Sequence, residues 1–328
     1  MTLNLEQLRA ITHGALIVRE AEGGEIEFCR FTDAQKDYYE RTDSGFFRKA
    51  HATSGVRLEF VTDSDTLAFS YHTNHASSRR FYYFDIFVDG VMVEHFGHES
   101  ITESRAEFSM KLPCGTHTVC IYLPCLAEAK LYNFTLDDGA TVTPVERKLK
   151  LLCYGDSITQ GYDAKYPSQT YPNQLADKLH AEMVDQGIGG EHFCPGLLED
   201  DLGYEPDIIT VAYGTNDWSS REREETITYA NAFYAELRRR YPNAKIFGIS
   251  PIWRADNDRV TKIGLFEEGA QIVRDAVKVN GAILVEGTYM IPHLREVCSD
   301  GYLHPNDFGF KFYANALYRA MLPHLKEN

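Results

Sequence analysis

The chain has 328 residues, of which 44% are hydrophobic, and its formal net charge at pH 7 is −15. This length and apolar content predict a sizeable core and two domains. Nucleic acids and anionic membranes attract basic surfaces, so the acidic balance argues against both as partners.

The sequence shows no sign of a membrane span or an export signal. No apolar stretch approaches the roughly 20 residues that cross a bilayer. The N-terminus, MTLNLEQLR, has neither a basic leader nor a long apolar core. Seven scattered cysteines without paired spacing predict reduced thiols. We therefore expect a cytoplasmic protein; assembly into homo-oligomers is left open.

Metal and cofactor motifs are missing from the sequence. It contains no Cys-x-x-Cys pair, no His-x-His and no His-Glu-x-x-His. The glycine cluster at 187–190 lacks the Gly-x-Gly-x-x-Gly spacing of nucleotide-binding loops. We therefore expect neither a metal nor another cofactor.

The first 145 residues have a pattern typical of β structure. Short, aromatic-rich and partly alternating segments recur at 56–60, 67–71, 84–88 and 118–122. Turn clusters separate them, and no helix-period pattern interrupts this part. The pattern predicts an all-β sandwich or jelly roll over residues 1–145, with 137–144 as the join to the next domain.

From residue 146 onward, strand and helix patterns alternate. Strands are predicted at 149–154, 182–186, 207–213, 245–250 and 282–286, and helices around 171–181, 222–241, 263–280 and 307–321. This alternation predicts a doubly wound, three-layer α/β domain over residues 146–328. In such folds ligands bind at the carboxyl edge of the sheet.

Four motifs fall on loops at that edge. Gly-Asp-Ser-Ile-Thr at 155–159 presents the hydroxyl of Ser157 beside backbone N–H groups, as an acyl-transfer nucleophile requires. The glycine cluster at 187–190 lets a backbone amide approach a ligand closely. Gly-Thr-Asn-Asp at 214–217 can direct the amide of Asn216 into the crevice, and His304 precedes the last helix, where it can act as a base. Each motif alone could be a helix cap or a turn.

In this order the motifs resemble the SGNH hydrolases, the GDSL-type esterase superfamily. That family has Gly-Asp-Ser, a glycine block, Gly-x-Asn-Asp and Asp-x-x-His; the likeness covers about residues 148–325 and implies a flavodoxin-like fold. It implies Ser157 as nucleophile and His304 as base. The amide of Ser157, Gly190 and Asn216 would form the oxyanion hole, with Gly187 and Gly189 as turn formers.

One position departs from the family pattern. Asp300 lies four residues before His304, whereas the family acid lies three before it. Either the loop bulges and Asp300 still reaches the imidazole, or a backbone carbonyl orients the ring, as in the Ser-His dyad of carbohydrate esterase family 2. A triad acid mainly fixes the tautomer and stabilises the imidazolium. We predict that Asp300 takes part.

A β-sandwich before an SGNH domain is similar to carbohydrate esterase family 2 and related bacterial sugar deacetylases. The resemblance implies a serine esterase that removes acetyl groups from acylated sugars or oligosaccharides, such as those of acetylxylan, through an acyl-enzyme. Trp218 and Trp253 are predicted near the crevice, where an indole could stack on a sugar; packing within loops is the alternative. Two other functions stay open: a carbohydrate-binding protein with weak activity, and an acetyl transferase between sugars.

Overall fold

The structure, a computed structural model, describes residues 1–100 and 104–325, with the backbone alone at Ser104. The chain divides into two units. The first contains Met1–Arg147 together with Tyr166–Ser168, and the second contains Lys148–Lys165 and the described residues from Gln169 onward. The division at 145/146 stays a prediction.

The first unit is built from two antiparallel sheets. Its strands are β1 (Thr12–His13), β2 (Ile17–Glu20), β3 (Ile26–Cys29), β4 (Arg57–Thr62), β5 (Thr66–His75), β6 (Tyr82–Val88), β7 (Val91–His98), β8 (Ser104–Lys111), β9 (His117–Tyr122), β10 (Ala127–Leu136) and β11 (Thr143–Pro144). One sheet has the order β1-β4-β9-β6-β7, with β11 paired to β4, and the other has the order β2-β3-β10-β5-β8. Because β11 pairs with β4, part of the predicted join belongs to this sheet.

An aromatic core fills the space between these sheets. Phe69 of β5 lies 6.2 Å from Phe84 of β6, and Phe60 of β4 lies 6.0 Å from Phe134 of β10, measured between ring centroids. All four rings are buried. Packing of the inward faces of two antiparallel sheets defines a β-sandwich. This part of the predicted fold class is confirmed.

The first unit also contains helices, and the prediction of an uninterrupted β pattern was wrong here. They are α1 (Leu5–Ile11), α2 (Asp33–Thr42) and α3 (Ser44–Ala50). Helices this short offer too few turns for a periodic apolar pattern to emerge. Their starts are instead set by local caps, since Asn4 and Thr32 each form a capping box with a glutamine three residues later.

The second unit is a doubly wound α/β fold. Its strands are β12 (Leu149–Gly155), β13 (Ala181–Gly187), β14 (Ile208–Ala212), β15 (Lys245–Ile249) and β16 (Ile283–Val285). Its helices are α4 (Ser157–Gln160), α5 (Tyr171–Leu179), α6 (Thr215–Ser220), α7 (Arg223–Arg240), α8 (Phe266–Val279) and α9 (Asp307–Leu325). The parallel sheet has the order β13-β12-β14-β15-β16, which is the flavodoxin-like order. The predicted fold class is confirmed in this part too.

The strand order fixes where a ligand crevice can form. From β12 the chain winds first to β13 on one side and then to β14 on the other. The carboxyl ends of β12 and β14 therefore flank the point where the winding direction reverses, and ligands bind at such points. Ser157 follows β12 and Asn216 follows β14, so both residues lie at this point.

No helix within residues 1–100 and 104–325 has the length and apolar character needed to cross a membrane.

Candidate active site

Ser157 is held at the start of a one-turn helix. The helix is capped by Asp156, whose Oδ1 accepts a hydrogen bond from the amide of Ile158 at 3.0 Å. It ends at Gly161, whose φ of +92° lies in the left-handed region that favours glycine. The serine is only 4% exposed. The nucleophile candidate therefore has a fixed backbone and little solvent around it.

A close approach of strand and helix precedes this serine. At Gly155 a Cβ would lie 2.0 Å from Oγ1 of Thr159 and 3.0 Å from the carbonyl oxygen of Ala212. Only glycine fits there, because real Cβ atoms do not come so close. The turn from β12 into α4 therefore depends on this residue.

The structure brings the three predicted catalytic side chains into one chain of contacts. Oγ of Ser157 lies 2.9 Å from Nε2 of His304, and Nδ1 of the same ring lies 2.7 Å from Oδ2 of Asp300. Both distances are within hydrogen-bond range. With Nδ1 donating to the carboxylate, Nε2 can accept the serine proton.

The extra residue between Asp300 and His304 is accommodated by a tight turn. Oδ1 of Asp300 accepts hydrogen bonds from the amides of Tyr302, Leu303 and His304 at 2.9, 2.8 and 3.2 Å. Gly301 has a φ of +74°, which allows the chain to turn back around the carboxylate. The sequence left open whether Asp300 or a backbone carbonyl orients the imidazole. In the structure the loop bulges and Asp300 contacts His304.

The same hydrogen bonds keep Asp300 ionised. Burial tends to raise the pKa of this carboxyl, but the hydrogen bonds from His304 and from the amides of Leu303 and Tyr302 outweigh it. The pKa of Asp300 therefore lies well below its usual range. An ionised carboxylate at neutral pH is the form that can accept the Nδ1–H.

The predicted oxyanion-hole residues follow three neighbouring strands of the sheet: Ser157 follows β12, Gly190 follows β13 and Asn216 follows β14. Nδ2 of Asn216 donates to the carbonyl of Glu191 at 2.9 Å, next to Gly190. A primary amide has a second N–H, so this contact leaves one donor for a ligand. Across the described ranges, the backbone amides of Ser157 and Gly190 donate to no protein acceptor. Ser157, Gly190 and Asn216 thus each keep an N–H donor, the kind of group that a developing oxyanion requires.

Gly187 and Gly189 occupy positions where side chains do not fit. A Cβ at Gly187 would lie 2.4 Å from the amide nitrogen of Gln160, and a Cβ at Gly189 would lie 2.5 Å from the ring of Tyr162. These glycines therefore let the end of β13 and the loop after it approach α4 and the residues that follow α4. Gly190 has a φ of +89° and completes the turn.

Two carboxyl groups within the motifs, those of Asp156 and Asp217, are buried. Burial raises the pKa of Asp156 to about 7, although the hydrogen bond from Ile158 opposes the shift. Burial likewise raises the pKa of Asp217 to about 6, and its ion pair with Arg221 at 2.8 Å opposes it. Asp156 thus caps the helix that carries Ser157, and Asp217 pairs with Arg221, the residue that follows α6.

The prediction that Trp218 projects into the crevice was wrong. Its indole is fully buried, and Nε1 donates to the carbonyl of Gly264 at 3.1 Å. The ring packs edge-on against Phe266, and the guanidinium of Arg254 lies 4.7 Å from its centroid. A fully enclosed indole has no face left for a sugar, so Trp218 is a packing residue.

Trp253 remains partly exposed. Its ring stacks on His293 with a centroid distance of 5.3 Å and an interplanar angle of 10°. His293 in turn stacks on Tyr289, which is 81% exposed. One face of Trp253 is therefore covered by His293, another part of the indole packs against the core of the second unit, and only the remainder reaches the surface.

Sequence reasoning missed one carboxylate at the imidazole. Oδ2 of Asp163 lies 4.0 Å from Nδ1 of His304. A carboxylate oxygen of Asp163, a carboxylate oxygen of Asp300 and a ring nitrogen of His304 all lie within 4.8 Å of one another. Asp163 belongs to none of the four motifs, and its spacing from Ser157 carries no recognisable signal.

The part of the chain that carries the four motifs resembles a known family. Residues 153–312 match the GDSL-like lipase/acylhydrolase family. By sequence alone, no curated protein matches the chain.

Solved structures with the same fold cover nearly the whole chain. A salicylyl-acyltransferase from a tetracycline biosynthetic pathway has a TM-score of 0.83 and 22% identity, over 96% of this chain and 95% of that one. A GDSL-like lipase from Bacteroides ovatus has a TM-score of 0.75 and 18% identity, over 99% and 98%. A family two carbohydrate esterase from Clostridium thermocellum, in complex with cellohexaose, has a TM-score of 0.68 and 18% identity, over 95% and 98%.

At these identities the structures establish the fold, and the family match concerns the motif-bearing part of the chain. That match supports the predicted enzyme class, a carboxylic ester hydrolase. The resemblance of this chain to the SGNH/GDSL hydrolases, with the two-domain architecture of carbohydrate esterase family 2, is thereby confirmed.

Proposed function

We propose that the protein is a serine esterase that removes short acyl groups, chiefly acetyl, from acylated sugars or oligosaccharides. The observation that supports this most directly is the pair of contacts made by His304. Its Nε2 lies 2.9 Å from Oγ of Ser157, and its Nδ1 lies 2.7 Å from Oδ2 of Asp300. A nucleophile, a base and an orienting acid in this order are the requirements of acyl transfer.

The reaction proceeds in two halves. His304 takes the proton of Ser157 as Oγ attacks the acetyl carbonyl, and the imidazolium then gives that proton to the departing sugar hydroxyl. Water, deprotonated by the same ring, attacks the acyl-enzyme and releases acetate. Asp300 accepts the Nδ1–H throughout and stays ionised.

Negative charge develops on the carbonyl oxygen in both halves. The amides of Ser157 and Gly190 and the second N–H of Asn216 are the donors that would hold it. Donors already in place before the reaction do not have to reorganise during it, and this makes such sites effective.

Two observations support a sugar ester as substrate. The fold is that of carbohydrate esterases, one of which was solved with cellohexaose. Trp253 is partly exposed, and a sugar ring could stack on the part of the indole that reaches the surface. The scattered cysteines favour a cytoplasmic enzyme, whose substrates would be imported oligosaccharides rather than polymer.

Hydrolysis of 4-nitrophenyl acetate tests the nucleophile. We expect Ser157→Ala to lose turnover by several orders of magnitude. Thr228→Ala, which removes an exposed hydroxyl on α7, should keep wild-type turnover. Retention of activity by Ser157→Ala would refute the proposal, and sugar binding without acetate release would indicate a binding protein.

A panel of esters tests the substrate class. Acetylated xylo- and manno-oligosaccharides should be deacetylated with higher kcat/KM than nitrophenyl esters of long-chain acids. The opposite order would place the protein among lipases.

Acyl transfer to an acceptor other than water is the second candidate. It is favoured by the likeness to an acyltransferase, which extends over 96% of this chain. The catalytic residues would be the same, and only the group that attacks the acyl-enzyme would differ. Product analysis with and without an added acceptor sugar separates the two reactions, because transfer yields a new ester in place of free acetate.

A further inference from the structure

Nδ1 of His304 faces two carboxylates rather than one. Oδ2 of Asp300 lies 2.7 Å from it and Oδ2 of Asp163 lies 4.0 Å from it. The side chains of Asp163, Asp300 and His304 are only 11%, 18% and 14% exposed. Charges so poorly solvated interact more strongly than charges on an open surface.

The backbone holds Asp163 in an unusual conformation. Its φ is +69°, in the left-handed region that few residues other than glycine adopt, although aspartate and asparagine tolerate it. Such a conformation persists only where the surrounding structure enforces it.

Hydrogen bonds on both sides of Asp163 tie this loop to the catalytic elements. The amide of Tyr162 donates to the carbonyl of Ser157 at 2.9 Å. The amide of Lys165 donates to Oδ1 of Asp307, at the start of α9, at 3.0 Å. The hydroxyl of Ser299 donates to the carbonyl of Asp163 at 3.5 Å. The loop is thus fixed to both the nucleophile helix and the loop that carries the base.

The groups around the imidazole are mostly acidic. Asp300 and Asp163 face Nδ1, and the buried Asp156 interacts with the ring electrostatically. The ring of Tyr162 lies 5.7 Å from the imidazole, measured between centroids. When His304 takes the serine proton, the O–H bond of Ser157 breaks and an N–H bond forms at Nε2. The positive charge of the imidazolium then spreads to the side that both carboxylates face.

We propose that Asp163 is a second positioning residue of this reaction. Its carboxylate stabilises the imidazolium of His304, and it accepts the Nδ1–H when Asp300 is lost. A displacement of only about 1 Å would bring it into hydrogen-bond range. The inference rests on the esterase mechanism proposed above and deepens it.

A double-mutant cycle tests the proposal with 4-nitrophenyl acetate as substrate. Asp163→Asn keeps the size and the left-handed tolerance of the residue and removes only its charge. We expect it to lower kcat about threefold to tenfold with KM unchanged, and Asp300→Asn to lower kcat on the order of 10². The double variant should lose on the order of 10⁴, more than the product of the single losses, because no carboxylate then faces Nδ1.

The pH profile separates an electrostatic role from a merely structural one. Removal of a neighbouring anion disfavours the imidazolium, so the acidic limb of kcat/KM should move to lower pH in Asp163→Asn. Asp163→Glu, which keeps the charge, should restore the wild-type limb. Asp207→Asn is the matched control, since this carboxylate precedes β14 at the opposite edge of the sheet and should leave the profile unchanged.

Asp163→Gly is the control for a loss of folding in Asp163→Asn. Glycine adopts the same φ without strain and also lacks the carboxylate. It should reproduce the acidic-limb shift of Asp163→Asn. An unmoved limb, or equal losses from Asp163→Asn with and without Asp300, would overturn the inference. Activity that survives Ser157→Ala would instead overturn the proposed function itself, so the two failures are distinguishable.

Discussion

Asp300 contacts His304 at two points of the same residue. Oδ2 accepts from the ring nitrogen Nδ1 at 2.7 Å, and Oδ1 accepts from the backbone amide at 3.2 Å. One carboxylate therefore orients the imidazole and also shapes the loop from which it projects. The two tasks can be separated by substitution.

Asp300→Asn and Asp300→Ala should differ in stability more than in activity. Asparagine keeps an oxygen for the amides of Tyr302 and Leu303, whereas alanine leaves them without a side-chain acceptor. We expect kcat to fall on the order of 10² or more in both variants. The free energy of unfolding should fall by about 1–3 kcal/mol further in Asp300→Ala. Urea denaturation measures this difference, and identical unfolding curves would show that the Oδ1 contacts do not stabilise the loop.

Asn216→Ala removes one oxyanion donor. We expect kcat to fall on the order of 10²–10³, because the lost hydrogen bond is stronger in the transition state than in the ground state. KM should change little. Asn231→Ala on α7, which removes a side-chain amide bonded to the Ile227 carbonyl, is the control and should leave kcat unaltered. A loss below tenfold in Asn216→Ala would exclude this side chain from the oxyanion hole.

Asp156→Asn should alter how stability depends on pH. Burial raises the pKa of Asp156 to about 7 in the folded protein, above its value in the unfolded chain. The folded state then holds the proton more tightly, so the stability from this group is present at low pH and is lost as pH rises through about 7. Asparagine also caps helices and does not titrate. The stability of the wild type relative to Asp156→Asn should therefore be greater at pH 5 than at pH 8 in chemical denaturation. A pH-independent difference would contradict the shift.

The two tryptophans should respond differently to substitution by alanine. Trp218→Ala removes a fully buried side chain, so the free energy of unfolding should fall by about 3–5 kcal/mol. Trp253→Ala should cost far less stability and instead raise KM for acetylated oligosaccharides, with kcat for 4-nitrophenyl acetate unchanged. Unfolding curves and the two substrates check both expectations. An unaltered KM for the oligosaccharides would remove Trp253 from the sugar site.

The sequence predicted those parts of the site that local chemistry determines. Ser157 and Asn216 each lie where a strand turns into a helix, and His304 lies just before the last helix. The strand order then brings Ser157 and Asn216 to the same edge of the sheet. The contact of Asp300 depended on Gly301, whose left-handed φ makes room for the extra residue, and only the structure shows that turn. It therefore could not be decided by counting residues.

Other features depended on tertiary packing and escaped sequence reasoning. Trp218 sits directly after a motif residue, yet α8 covers it, as its contact with Phe266 shows. Asp163 lies next to His304 because its own backbone is left-handed and its loop is hydrogen-bonded to distant segments. Neither feature has a pattern in the sequence. The short helices α1–α3 begin at caps rather than in periodic apolar segments.

The hydrogen bond between Ser157 and His304 joins residues that are 147 positions apart in the chain. The base lies just before α9, which is anchored by stacking of Tyr313 on Tyr171 of α5 at 4.2 Å. A chain growing on the ribosome would therefore expose its serine long before it has a base to activate it. Esterase activity would begin only once the final helix has docked, so turnover itself reports that the second unit has finished folding.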